Sequence, residues 1–171
     1  SIVPESESPL VREVAASAHD AGIWIALGLP VARADGRWAN RTLLFDSRGH
    51  IAARYDKIHM FDVDLASGES WRESSAYAPG ESAVVAQTPA GMLGLSVCYD
   101  VRFPALYQAL SGAGAEILSV PAAFTVPTGK AHWHTLLKAR AIENACWVIA
   151  AAQYGLHADG RETFGHSLVI N

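Results

Sequence analysis

Apolar and polar positions fall in two rhythms along this chain, and the changes of rhythm divide it into elements. In Ser8–Gly22, Leu10, Val14 and Ala18 recur every fourth residue and share one face of a predicted helix. Ser8 stands in the N-cap place, Pro9 in the first helical position, and Gly22 at the stop. Residues 23–29, IWIALGL, predict a buried strand. A turn in RADGRWAN leads into RTLLFDSRGHIAARYDKI, which reads as two strands around Asp46-Ser47-Arg48-Gly49. Residues 59–82 keep neither rhythm, and a loop of that length inside a compact domain is usually functional or disordered. Beyond it, AVVAQTP and MLGLSVC read as strands on either side of an Ala90-Gly91 turn. FPALYQALSGAG predicts a short helix opened by Pro104 and closed by glycines, and AEILSVPAAF a strand. KAHWHTLLKARAIENA is the clearest amphipathic helix, with Trp133, Leu136, Leu137, Ala141 and Ile142 at helical spacing. CWVIAAAQ and HSLVIN close the chain as strands.

Strands alternating with helices predict an α/β layered fold, and the short turns near 46–49 and 88–91 make its sheets mixed. No repeat, linker or low-complexity run interrupts the pattern, so one domain is expected over residues 1–171. With 171 residues, 50% of them hydrophobic, the chain can bury a sizeable core. Its formal net charge is −4, and no basic run is interleaved with aromatics. That argues against nucleic acid as a partner and for a small molecule. No apolar run reaches the roughly 18–20 residues that span a bilayer. The start, SIVPE, has neither the basic beginning nor the long apolar centre of a secretory signal. The two cysteines, Cys98 and Cys146, lie in apolar runs and predict reduced thiols in a cytoplasm.

The candidate chemistry begins at LGLSVCYDVRFPAL. Cys98 ends an apolar strand shortly before a helix. A strand-to-helix corner projects a side chain at the end of a sheet and leaves backbone N–H groups to hold an oxyanion. Helix N-terminal dipoles nearby favour a thiolate. The other reading of Cys98 is a buried structural cysteine, and from the residues alone both stand. Cys146, opening an apolar strand beside a long helix, reads as core. Lys57, in RYDKIHMF, sits at the mouth of the long loop between Tyr55 and the apolar Ile58 and Met60. Partly desolvated, it would activate a thiol or stabilise an oxyanion; otherwise it is a solvated surface lysine. At a strand end His59 faces the same way as Lys57, and the residues alone do not choose between them as partner to Cys98. Glu73, in WRESSAY, is either a solvated loop charge or a group that orients the lysine or a leaving group.

Several blocks in this order, RYDKIHMFDVDL, GLSVCYDVRFPALYQAL, PAAFTVPTGKAHWHTLLKARAIENACWVIAAAQ and FGHSLVIN, resemble the nitrilase superfamily of carbon–nitrogen hydrolases. Within it they are most similar to the Nit-type amidases, a branch that includes enzymes acting on deaminated glutathione. The resemblance runs over nearly the whole chain from about residue 8 onward. It implies an α-β-β-α sandwich with mixed sheets and a Glu-Lys-Cys catalytic set that needs no metal or organic cofactor. Carried over residue by residue, it makes Cys98 the nucleophile, Lys57 the oxyanion-stabilising lysine and Glu73 the second, supporting glutamate. His59 becomes an adjoining motif residue rather than the base. Tyr99 contributes a backbone N–H towards the oxyanion, and Arg102, Phe103 and Pro104 shape the turn into the helix. Arg140 and Glu143 match a structural ion-pair motif. Phe124 and the TVPTGKAHW loop, with His132 and Trp133 close by, form the substrate-side wall. The resemblance also implies a homodimer packed through the helix after Cys98 and the ARAIEN segment. His19, His50, His157 and His166 are scattered without metal-ligand spacing.

The family's general base is a glutamate at the end of an early strand, separated by a sizeable loop from the helix that corresponds to residues 9–21. Glu5, in IVPES, stands too close to that helix for the place. The expectation is therefore that the first strand-helix-strand unit, with its glutamate, and the C-terminal tail are absent from this chain. The activity implied is hydrolysis of a linear amide of a small molecule, an ω-amide or deaminated glutathione, through a cysteine thioester. Two alternatives are a carbamoyl-amine or nitrile hydrolase of the same superfamily and a catalytically silent subunit that acts by binding or assembly.

Overall fold

Ser8 caps the first helix, α1 (Pro9–Ala21), in a computed structural model that describes residues 2–64, 68 and 70–171. The Ser8 hydroxyl accepts the Val11 N–H at 3.4 Å, and Gly22, at φ +65°, ends the helix in the left-handed region. Three antiparallel strands follow in the order β1 (Ile25–Ala32), β2 (Trp38–Phe45) and β3 (Ile51–Asp56). The β2–β3 turn forms where the sequence puts it: one Asp46 carboxylate oxygen accepts the N–H groups of Arg48 and His50 at 2.8 and 2.9 Å. Gly49 in that turn has φ +79° and lies so close to α1 that a Cβ would sit 2.4 Å from the Ala15 carbonyl oxygen.

Helix α1 buries Val11 and Ala18, with Val14 and Ala15 beside them, against Leu29, Val31, Ala39, Leu43 and Phe45. Leu10, expected on that face, is 45% exposed. A four-residue spacing drifts about 40° per step round a helix of 3.6 residues per turn, whereas the set 11, 14, 15, 18 follows the turn. The strand expected to be buried is covered on one side: Leu29 and Val31 are buried, while Ala26, Gly28 and Pro30 are exposed and Ile23 precedes the strand in solvent. The long loop also carries structure. Here β4 (Asp62–Asp64) pairs antiparallel with β5 (Ser70–Arg72), tied by Arg72 Nη2 to Asp64 at 2.8 Å, and a 3-10 turn spans Glu73–Ser75. Three-residue strands are too short to show a period. The loop expectation for 65–67 and 69 lies outside the described residues.

These elements belong to the first of two compact units, which runs to Val84; the second is Val85–Asn171. The second unit is built on a five-stranded sheet in the order β12-β9-β8-β7-β6, made of β6 (Val84–Thr88), β7 (Gly91–Leu95), β8 (Ile117–Ser119), β9 (Trp147–Ala150) and β12 (Leu168–Ile170). Strands β7, β8 and β9 run parallel and β12 runs antiparallel to β9, so the sheet is mixed as expected. Parallel neighbours need a crossover, and helices α2 (Pro104–Gly112) and α3 (Val126–Asn144) supply the two. They pack on each other, α2 on β7 and α3 on β9, around the buried Leu95, Leu110, Leu118, Trp133 and Leu137.

Four local expectations change. Strand β7 stops at Leu95, before Cys98, and AEILSVPAAF contracts to the three residues of β8. Helix α3 starts at Val126, its Pro127 lying in the first turn where a missing N–H costs nothing. On that helix Trp133, Leu137 and Ala141 are buried, but Ile142, at compatible spacing, is 79% exposed. A hairpin of β10 (Tyr154–Leu156) and β11 (Glu162–Phe164) was not expected at all. Among the described residues, no helix is long and apolar enough to cross a membrane.

Candidate functional site

The backbone changes hand at Cys98. Val97 is still extended, Cys98 takes φ +50°, and a 3-10 turn runs over Cys98–Arg102 until Pro104 opens α2. A left-handed residue with a side chain carries strain that the surroundings must hold in place. Here the Cys98 N–H donates to the Pro121 carbonyl at 2.8 Å, and the Val97 N–H donates to Asp100 Oδ2 at 2.9 Å. Asp100 is 0% exposed, a buried carboxylate that the sequence reading passed over although it stands two residues from Cys98.

Behind the turn, Ser96 Oγ donates to the Ser119 carbonyl at 2.7 Å and meets the Tyr107 hydroxyl at 2.7 Å. Burial pushes the Tyr107 phenol above its usual range, against the Ser96 hydrogen bond, so it stays neutral. Arg140, also buried, donates Nε to the Val101 carbonyl at 2.9 Å and pairs with Glu143 at 2.6 Å. The two cysteines are unbridged and differ. Cys98 is half-buried at the corner; Cys146 is buried, its thiol donates to the Ala115 carbonyl at 3.0 Å, and burial followed by the Glu116 charge pushes its pKa up.

Within the first unit, Lys57 follows the last residue of β3 and is 2% exposed, not a solvated surface lysine. Its Nζ lies 2.5 Å from Glu73 Oε2. The same oxygen accepts the Phe61 N–H at 2.7 Å, and Glu73 Oε1 accepts from Asn40 Nδ2 at 3.2 Å. Glu73 opens the 3-10 turn after β5, and its main-chain carbonyl accepts the Ala76 and Tyr77 N–H groups. Lys57 is fixed at its backbone as well: its N–H donates to the Asn40 carbonyl at 2.9 Å and its carbonyl accepts the Gly80 N–H at 2.8 Å. A buried ammonium needs a counter-charge and hydrogen-bond partners, and this pairing over sixteen residues of chain supplies them. The arrangement holds a lysine aimed and short of water, which suits it to stabilise developing negative charge.

The second unit also brings Tyr99, Arg102, Phe124 and His132 together. The Arg102 guanidinium lies 5.7 Å from the Tyr99 ring centre and 5.6 Å from that of Phe124, and it donates to His132 Nδ1 at 3.3 Å. Phe124 is buried against Trp133 at 4.8 Å between ring centres, and His132 is exposed on α3. Phe103 packs edge-on to Tyr99 at 5.4 Å.

Glu5 has other work. It lies in a 3-10 turn, Glu5–Glu7, where Arg41 Nη1 reaches it at 2.9 Å and Arg54 Nε at 2.8 Å. Burial acts to raise its pKa, but the hydrogen bonds and charges of Arg54 and Arg41 outweigh it and hold the carboxyl below the usual range. A carboxylate held in that way is a weak proton acceptor. Among the described residues, no three His, Cys, Asp or Glu side chains are grouped as metal ligands.

Known proteins place this architecture. The family model described as carbon–nitrogen hydrolase matches residues 2–171. The chain is 52% identical over 170 residues to the deaminated glutathione amidase of Yersinia enterocolitica, an alignment covering 97% of this chain and 59% of that protein. Among solved structures, the C. elegans NitFhit protein superposes with a TM-score of 0.90 at 41% identity, over 97% of this chain and 41% of that one. A mutant of the amidase from Nesterenkonia sp. AN1, carrying the acetamide moiety of fluoroacetamide covalently added at its active-site cysteine, gives a TM-score of 0.80 at 29% identity, over 94% of this chain and 57% of that one. The chain spans less than two thirds of each of these relatives. Its mixed α/β fold with several sheets is the one they share.

Proposed function

This chain belongs to the carbon–nitrogen hydrolase family, and on that premise we propose that it carries amidase chemistry, cleaving a linear amide of a small molecule through a thioester on Cys98. The observation that carries the reading is the strained left-handed backbone of Cys98 in the corner between the parallel strand β7 and helix α2, held by a buried carboxylate. Strain of this kind persists where the surroundings over-determine it, and it clusters at reacting groups.

In the reaction, the Cys98 thiol gives its proton to a general base, a role that the arginine-bound Glu5 does not fill. The sulfur attacks the amide carbon and the carbonyl oxygen takes the negative charge. The Lys57 ammonium and the Tyr99 backbone N–H stabilise that oxyanion, and Glu73 keeps Lys57 aimed. Collapse of the tetrahedral intermediate breaks the C–N bond, and the nitrogen leaves as ammonia or an amine after taking a proton from the base. Water then adds to the thioester, the C–S bond breaks, and the carboxylic acid departs. Losing one such oxyanion donor typically costs about 3–4 kcal/mol. Phe124 and His132 form the substrate-side wall.

The 52% identity to the Yersinia relative makes deaminated glutathione the first substrate to test, with ω-amides second. The reading extends to a homodimer, for which the exposed Ile142 in the ARAIEN segment offers an apolar contact, and to a reducing compartment, which suits two unbridged thiols.

Release of amine from deaminated glutathione, or of ammonia from ω-amides, tests the activity. We expect release from the wild-type protein and none from Cys98→Ala. Iodoacetamide at neutral pH should label Cys98 well ahead of Cys146, as read by peptide mass spectrometry. Equal, slow labelling of both thiols together with no release would overturn the reading and favour a silent subunit.

A further inference from the structure

We propose that Asn40 is a positioning residue that locks the Lys57–Glu73 pair into a single geometry. Glu73 Oε2 receives both the Lys57 ammonium and the Phe61 N–H. The last torsion of the side chain is broad for an sp3–sp2 bond, and any swing of the carboxylate carries Oε1 along with Oε2. The bond from Asn40 Nδ2 to Oε1, at 3.2 Å, restrains the swing. An ionised carboxylate only accepts hydrogen bonds, so the amide nitrogen of Asn40 must be the atom that faces it.

The same residue holds the other partner. The Asn40 carbonyl accepts the Lys57 N–H at 2.9 Å, continuing the β2–β3 ladder one step past the Arg41–Asp56 pair. One side chain and one carbonyl therefore fix the end of Glu73 and the root of Lys57. Asn40 is itself held rigidly: it pairs with Pro30 of β1, and its neighbour Arg41 grips Asp56 through two hydrogen bonds of 2.6 and 2.9 Å. Aspartate at this position would be of equal size, but it would present a negative oxygen to Glu73 instead of a donor. Asparagine joins that donor to a shape the strand already accommodates.

For its catalytic consequence the inference rests on the amidase reading; its geometric content does not. Two readouts separate them. The first is the 1H–15N resonance of the Lys57 ammonium, whose protons are seen only while they are bonded and slow to exchange. Asn40→Ala and Asn40→Asp should shift that resonance or lose it to exchange in protein that still unfolds cooperatively, with the melting temperature lowered by several degrees. Should Asn40→Ala fail to fold, Asn40→Ser serves in its place. The second readout is kinetic. Asn40→Ala should lower kcat about tenfold to a hundredfold with KM unchanged, the worth of a hydrogen bond to a charged group. In a Glu73→Ala background the same substitution should lower kcat no further, because the group it acts through is gone. An ammonium resonance unmoved in folded Asn40 variants overturns the inference, whatever the activity. Equal kcat losses in the presence and absence of Glu73 overturn it too. A wild-type protein that releases no amine or ammonia would instead count against the amidase reading, and the resonance would still decide the role of Asn40.

Discussion

Replacing Glu73 by alanine tests the interior of the first unit most directly. The Lys57 side chain is 3% exposed and its Nζ lies 2.5 Å from the Glu73 carboxylate. At an effective dielectric of about 20, charges at that separation attract by about 6–7 kcal/mol. Most of this offsets the cost of stripping water from the ammonium. Glu73→Ala keeps that cost and removes this counter-charge, a change that typically destabilises by about 3–5 kcal/mol. Because Glu73 itself is 14% exposed, water can enter the vacated space, and we expect the lower end, about 3 kcal/mol. For a chain of this size about 2–4 °C accompany each kcal/mol, so the melting temperature should fall by about 6–12 °C. Thermal unfolding followed by circular dichroism at neutral pH reads this out. Glu73→Gln, which keeps an acceptor oxygen and the bulk, should fall less. The double variant Lys57→Met, Glu73→Leu should recover much of the loss, since apolar replacement of both charges removes the desolvation cost with the attraction. If Glu73→Ala melts with the wild type, or the double variant melts no higher than Glu73→Ala, burial of Lys57 is not balanced by Glu73 and the reasoning fails.

Two further outcomes follow from other parts of the first unit. Glu5 titrates below its ordinary value of 4.5 when folded, so its ion pairs add stability that is whole above that value and is lost as pH falls through the depressed folded pKa. Arg54→Ala should therefore lower the melting temperature at pH 7, and the gap from wild type should close in acid below pH 4.5; a gap that ignores pH refutes the assignment. Gly80 is pressed against backbone: a Cβ there would lie 2.1 Å from the Asp56 carbonyl oxygen, beside the Gly80 N–H bond to Lys57. Gly80→Ala should destabilise by about 1–3 kcal/mol or more, whereas Gly112→Ala, with nothing within 4 Å of its Cβ, should not; equal melting temperatures for the two variants would contradict the packing.

What the chain's own order determined is local. Ser8, Pro9 and Gly22 bounded α1, Asp46 to Gly49 bent the chain between β2 and β3, and Pro104 started α2, because caps and turns are chosen by interactions within a few residues. The quoted blocks around Lys57 and Cys98 carried the family for the same reason: a motif is read along the chain.

Folding decided the rest. Lys57 read along the chain as either a solvated surface lysine or a desolvated one, and Glu73 and Asn40, distant in sequence, close on it only in the fold. Ile142 had helical spacing yet faces solvent, because burial is set by the surface a helix meets as well as by its own period. Asp100, two residues from Cys98, carries no motif signal along the chain. Its importance arises where the backbone turns left-handed and a buried carboxylate takes up the Val97 N–H. Periodicity describes one element at a time, whereas pairing, burial and strain are properties of elements brought together, and these determine whether a charged or reactive side chain is solvated surface or a candidate for chemistry.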